Sequence, residues 1–547
     1  MRPLQATLLL GVFGLQLASA QEDTREDGAT IVDSPDPDNF VRRSGARATV
    51  LGDYVFIDGG EMTQLVNGKN LAEGHTMMNS TLWIDVSESW SPSTVAINVV
   101  KKPGPKLSLQ AIWPGEDRSS FYIWGGRVMA SDGRADGLSK SEMWRFTTGG
   151  EGGGQWASEI PNESDAFASL LLPQRGAYTT VNNTGYFVGG TVIQSSDPTL
   201  KVGMQPVPGM ISFNMDTRTF SNDSTADISP FGTMLGGTAE YVPGYGPNGL
   251  VMLFGGYGYT LLPGFRDVEH TRQFDSVNFF DPVTKDWYWQ RTTGDTPPAR
   301  LDHCSVGVRS SSGTYEIFVY GGYDPMNKQT FDSVYVLSLP GFVWKQVKGD
   351  APGGLRSGQT CVVVGNRQML TIGGVDTYAD QPWKAKDPFP QGLGIFDMTD
   401  LEWKNDFDSK AAAYDSPQMI KDWYSETGVQ SVKWSTPETE SLFTTASSDI
   451  VDVEQPEEKT VPAGAIAGGV VGGVAALALA GGLFWWLRRK KSAGSDDEAP
   501  ESAKEVTSHQ SSGSALPPSE LPEKAHQREP VELHDQPKPG PPPVELE

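Results

Sequence analysis

One run in this 547-residue chain sets three versatile side chains in a row: Asp302, His303 and Cys304, within RLDHCSVG, Arg300 to Gly307. A thiol beside an imidazole and a carboxylate is raw material for a nucleophile or a metal ligand set. Nothing in the sequence completes either grouping. The cysteines are Cys304 and Cys361 alone, and no C-x-x-C, H-E-x-x-H or G-x-S-x-G occurs. SDGRADG, Ser131 to Gly137, has carboxylates and glycines as a calcium loop does, but lacks the twelve-residue ligand series and reads as a hairpin tip. GGEGGG, Gly149 to Gly154, lacks the lysine and following helix of a phosphate loop and reads as a flexible connection. No catalytic residue, metal site or cofactor is expected.

What must position these residues shows first in the composition. A formal charge of -25 argues against a polyanionic partner such as nucleic acid, because phosphate binding needs clustered cations. With 62 Gly, 39 Pro and 15 Trp, the chain reads as short aromatic strands joined by tight turns. Residues 1–20 carry a secretory pattern: Arg2, an apolar run from Leu8 to Leu17, and Ala18-Ser19-Ala20. Residues 463–487 run without a charge for a membrane-spanning length, followed by RRKK, Arg488 to Lys491. The expected topology is therefore type I, at the plasma membrane or another secretory-pathway membrane. Gly468, Gly469, Gly472 and Gly473 give G-x-x-x-G spacings suited to a homodimer of spans. Asn79, Asn162, Asn182 and Asn222 open sequons for N-glycosylation.

The span between these ends repeats. YVFIDGG, FYIWGG, GYFVGG, LVMLFGG, EIFVYGG and QMLTIGG place the first glycine of a pair at 59, 125, 189, 255, 321 and 373. A loop, an apolar strand and an aromatic residue follow each pair, as in VNFFDPVTKDW. An arginine opens the preceding strand in several units: Arg43 or Arg47, Arg118, Arg175, Arg300 and Arg356. LGG at Leu235 to Gly237 lies too close to the next pair to end a unit. Four short strands per unit cannot cover both faces of a small sheet alone, and radial stacking solves this. A strand ending against neighbouring backbone needs residues without Cβ that accept positive φ.

The Gly-Gly pairs with their spaced aromatics resemble the kelch repeat over about residues 40–410, in the manner of fungal secretory or membrane-anchored kelch-repeat proteins. The resemblance implies an all-β kelch propeller of six blades, with seven as the alternative. After it come a possible capping segment at 411–434 and a Ser/Thr/Glu-rich extended stalk at 435–460. The membrane helix at 463–487 follows, then a disordered, acidic, Pro-rich tail at 488–547 whose Pro539 to Pro542 fits a polyproline-binding adaptor.

The resemblance also implies a ligand, protein or cell-wall glycan, on the loops after Gly-Gly, at Glu61, Arg127, Thr191, Tyr257, Tyr323 and Val375. Arg127, Tyr257 and Tyr323 are the contact candidates. A tethered scaffold acting through its tail is a second reading. A third is a copper radical oxidase, whose family site uses two histidines, two tyrosines and a cysteine joined to one tyrosine. Only His75, His270 and His303 precede the apolar run, and no family-type Tyr-His pair is present. Aligned on the repeat, Cys304 and Cys361 fall at nearly equivalent positions of adjacent units, as a disulfide or as two buried thiols. His303 reads as a turn or packing residue.

Overall fold

The computed structural model describes residues 23–24 and 30–445, apart from 71–73, 130–134, 136–137, 202, 230–231, 260–268 and 350. The leader at 1–20, most of SDGRADG, the apolar run at 463–487 and its glycines, and the tail lie outside the described residues. Among the described residues, no helix is long and apolar enough to cross a membrane.

The architecture is all-β. Six antiparallel sheets follow one another, and within each the strands pair in chain order. Their first strands are Arg47–Leu51, Ala111–Pro114, Ala177–Val181, Thr238–Val242, Cys304–Arg309 and Thr360–Val364. The second strands, such as Leu250–Phe254 and Tyr315–Tyr320, are buried along their whole length. That explains their uninterrupted apolar runs: each is covered on both faces by neighbouring sheets, as happens when sheets stack. In sheet five an extra short strand, Thr293–Gly294, pairs in parallel with Val343–Gln346.

Six apolar clusters fill the six gaps between sheets. Phe56 meets Phe121 and Phe146 between sheets one and two, and Trp113 and Trp124 meet Phe187 and Phe213 between two and three. Between six and one, Leu370 and Ile395 pack on Ile57 and Leu82. The last sheet thus joins the first through the same kind of core as every other pair, without exchanging a strand. Trp90 and Phe407 add a backbone bridge across this seam. Trp90 is the aromatic expected in the fourth strand of sheet one, but that strand lies further on, at Asn98–Lys101. The departure arises because Trp90 is drawn instead onto Phe407, 5.1 Å between ring centroids.

Beyond sheet six the chain crosses the ends of sheets four and five opposite the Gly-Gly pairs. Helix Gln418–Glu426 lays Trp423 and Tyr424 over Gly341, and the Tyr424 hydroxyl accepts from the Gly341 N–H at 2.9 Å. The buried Glu316 carboxylate accepts from Ser338, Tyr414 and Ser416 at 2.7, 3.1 and 3.2 Å, tying the same segment to sheet five. The stalk expected from 435 does not begin there. Pro437–Thr444 is a helix capped by Thr436, and its Phe443 is buried against Tyr245, Phe279 and Phe342. Two apolar residues, Leu442 and Phe443, outweigh a polar composition once a greasy groove is adjacent.

Candidate functional site

The glycine pairs set the geometry of the centre. In every pair both residues have positive φ, 57° to 73° for the first and 83° to 103° for the second. The second donates its N–H to a carbonyl of the next sheet: Gly60 to Leu107, Gly126 to Pro173, Gly190 to Met234, Gly256 to Arg300, Gly322 to Arg356 and Gly374 to Arg43, all at 2.6 to 3.0 Å. A Cβ on the first glycine would stand under 3.0 Å from that same carbonyl oxygen. Only glycine fits.

These carbonyls show which arginines are equivalent. Arg43, Arg300 and Arg356 occupy one position, whereas its counterparts in sheets two, three and four are Leu107, Pro173 and Met234. Arg47, Arg118 and Arg175, expected to open strands in the same way, stand elsewhere. Arg300 and Arg356 are fully buried and reach back to the first glycine of their own sheet, donating to Gly321 O at 2.9 Å and Gly373 O at 2.7 Å. Each stacks on an aromatic ring, Phe331 or Phe389. Arg356 also pairs with buried Asp387 at 3.0 Å.

Two residues further on, the sequence holds a feature hidden by its variety. Gly45, Leu109, Arg175, Gly236, Asp302 and Gly358 all have positive φ, between 49° and 71°. Each donates its N–H to the carbonyl of the preceding one, and Gly45 donates to Gly358, at 2.7 to 3.2 Å. Six peptide groups close a ring around the axis. The LGG run at 235–237 finds its role here, supplying Gly236 to the ring. Arg175 and Asp302 form an ion pair that lies over Gly236, and Arg175 also donates to the Tyr323 hydroxyl at 2.9 Å.

Each residue from Arg300 to Cys304 has its own structural role. Arg300 clamps the glycine pair, Leu301 bridges to Tyr323, and Asp302 belongs to the ring. His303 is buried beside Phe274, with Nε2 3.1 Å from the Thr238 hydroxyl. Burial pushes its imidazole down to about 3, and the nearby Arg300 adds to this, so it is neutral. Cys304 is joined to Cys361 across the first strands of sheets five and six, with Cα atoms 5.6 Å apart.

Below the ring the first strands enclose an axial cavity of about 340 Å³, reaching Thr180 and Gly307. Its walls carry Glu240, whose Oε1 accepts from Ser305 at 2.5 Å. Burial pushes this carboxyl up to about 7, the Ser305 bond opposing. Arg47 also lines the cavity, donating to Gln110 O at 3.0 Å and lying over the Tyr178 ring.

Around the ring, the segments after Gly-Gly turn back as short hairpins whose first residues bridge to the strand entering the ring, as Tyr257 does to Leu235 and Tyr323 to Leu301. This pairing corrects the contact candidates. Tyr257 is buried, Arg127 is bound to Glu61 at 2.7 Å, and Tyr323 is engaged by Arg175. They form the hairpin roots, with Tyr257 sealed and the Arg127 side chain 36% accessible. Exposed apolar side chains stand further along these hairpins, Met129, Met326 and Tyr378 a few residues after the root and Met204 on the returning strand: 46%, 62%, 38% and 50% accessible.

His75 is bound to Glu61 at 3.1 Å and stacked on Trp383, away from His303, which is sealed beside Phe274. Burial works against the Glu61 charge, but His75 and Arg127 outweigh it and hold the carboxyl down at about 2. The side chain of His270 lies outside the described residues. GGEGGG is a turn between strands, not a slack connection: Gly152 packs against the Trp83 ring of the neighbouring sheet. All four sequon asparagines are exposed, and Asn162 is held by a bond from its Nδ2 to Thr217 O at 2.7 Å.

Comparison with known proteins places the chain beside kelch-repeat sequences. The KLHDC2/KLHL20/DRC7 Kelch-repeats domain matches residues 247–413. A "Kelch repeat-containing protein" of Arthroderma benhamiae is 23% identical over 435 residues, 72% of this chain and 61% of that protein. "Host cell factor" of Drosophila melanogaster is 25% identical over 129 residues, 22% of this chain and 8% of its own length. The match thus spans about three fifths of the fungal relative.

Proposed function

The chain is a kelch-repeat protein, and from that premise we propose that it is an interaction protein: a six-bladed propeller that docks a partner protein on the face bearing the hairpins. The observation that carries this is the rim. Met129, Met204, Met326 and Tyr378 belong to the post-glycine segments of four of the six blades, two, three, five and six, all rooted beside one ring. Exposed methionines are adaptable contact residues, and an aromatic among them supplies an anchor. The segment 411–445 packs at the opposite ends of the strands, so it leaves the rim uncovered. Secretion, anchoring by 463–487 and glycosylation of the four exposed asparagines belong to the same reading, supported by the leader pattern and the charge-free run. The oxidase reading loses its support at Cys304, whose sulfur is committed to Cys361 and not to a tyrosine.

The test is quantitative affinity capture with the full chain and its Met204→Glu/Met326→Glu variant. Partners docking on the rim drop out at least tenfold in the variant; a capture profile unchanged by both charges removes the rim from the interaction.

A further inference from the structure

The axial cavity holds a carboxyl to which the described residues give no cation. Glu240 lies on the first strand of blade four, and among the described residues it forms no ion pair. Its described hydrogen bond comes from the Ser305 hydroxyl. Glu240 is half-buried on the cavity wall, and taking an acid even partly out of water without a cation is unfavourable. Fully buried carboxylates are treated differently: Asp58 is paired with Lys102 at 2.7 Å, Asp197 with Lys140 at 3.0 Å and Asp387 with Arg356, while Glu316, which also has no cation, accepts from three hydroxyls where Glu240 accepts from one.

The cavity has room for what is missing. Its volume of about 340 Å³ lies within the range of small-ligand sites and is far larger than a bare metal ion requires. The walls alternate hydroxyls with apolar surface: Ser305, Thr180 and Thr360 beside Ile112, Pro114 and Val363. Thr180 Oγ1 is buried without a hydrogen-bond partner. Three guanidinium groups line the cavity and none is paired with Glu240: Arg47 is drawn to Gln110 O and the Tyr178 ring, exposed Arg118 donates to Val50 O, and Arg175 is bound to Asp302. Carboxylate, hydroxyls and apolar wall together match an ammonium or guanidinium group carried on methylenes.

We propose that the axial cavity binds an organic cation, an ammonium or guanidinium group, with Glu240 as its counter-ion. The chain's formal charge of -25 raises the local concentration of such ligands. Two sources offer this chemistry, a free polyamine and the basic side chain of a docked partner. The inference does not rest on partner docking at the rim, because a free amine tests the cavity with the rim untouched.

The experiment is calorimetric titration of the full chain with spermidine and, separately, with a capped tripeptide bearing a central lysine. One-to-one binding of either probe that weakens at least tenfold in Glu240→Gln, and is unchanged in the exposed control Glu402→Gln, supports the proposal. Spermidine alone identifies the free amine as the source, and the peptide alone identifies a partner's side chain. Binding of neither probe, or equal affinity in Glu240→Gln, overturns it. A second measurement uses the unmodified chain, so it holds even if the variant does not fold. A diazirine-bearing spermidine should label peptides containing 177–181, 238–242 or 304–309, and labelling confined to outer strands overturns the assignment.

Discussion

Arg356 shows how one residue type serves the repeat. Its guanidinium holds the first glycine of its own blade, lies on the Phe389 ring and neutralises Asp387, all out of water. Removing the Arg356 guanidinium leaves buried Asp387 with Arg42 alone, 3.6 Å away, and empties the site between the glycine and the ring. Arg356→Met is therefore expected to lower stability by about 3–5 kcal/mol, measured by urea unfolding followed by tryptophan fluorescence. Arg356→Met/Asp387→Leu removes both charges but also the carboxylate of Arg42, so it should recover only part of that loss; a double variant as unstable as the single one would show that the carbonyl bond, not the charge, dominates. The sequence spacing picked out Arg300 and Arg356 because the arginine is kept there. It misassigned Arg118 and Arg175 because sheets two and three use Leu107 and Pro173, where only the carbonyl matters.

At the level of elements, what could be read in advance depended on whether side chain or backbone does the work. The Gly-Gly pairs were legible because the next blade's carbonyl excludes every Cβ. The ring was not, because its six bonds are peptide to peptide and tolerate Gly, Leu, Arg and Asp alike. Only the shared positive φ unites them, and that leaves no compositional trace beyond three glycines. The helix at Pro437–Thr444 was hidden for the opposite reason, its Ser, Thr and Glu masking two apolar contacts. Phe443→Ala should cost about 3–5 kcal/mol, whereas Thr436→Ala, which removes only the cap on Thr439 N, should cost about 1 kcal/mol. Thermal unfolding of the two variants side by side checks the ratio, and equal small effects would mean that the helix is not part of the cooperative unit.

For the whole molecule, closure is shared among six apolar interfaces, one ring of hydrogen bonds and one covalent tie. The tie closes 57 residues between blades five and six, not the seam between six and one. Cys304→Ala/Cys361→Ala is expected to lose about 2–5 kcal/mol, read from denaturant midpoints, and non-reducing mass mapping should recover the linked peptides. Two unmodified free thiols in that map would contradict the pairing. The six described sheets follow the six glycine pairs, but the manner of closure was not readable, since Phe407 and Trp90 are 317 positions apart.

The ring of peptide bonds has a further meaning for the history and handling of such a chain. Its hydrogen bonds make no distinction between the seam and the five internal joints, so the fold does not record where the polypeptide starts. Blade order is cyclic while the gene is linear, and the present termini are one choice among six. A chain recut between any two units inherits the same hoop of amides, provided the old ends around Phe40 and Phe407 are linked. New sequence can thus be introduced at a joint without altering the centre on which every hairpin of the rim is rooted.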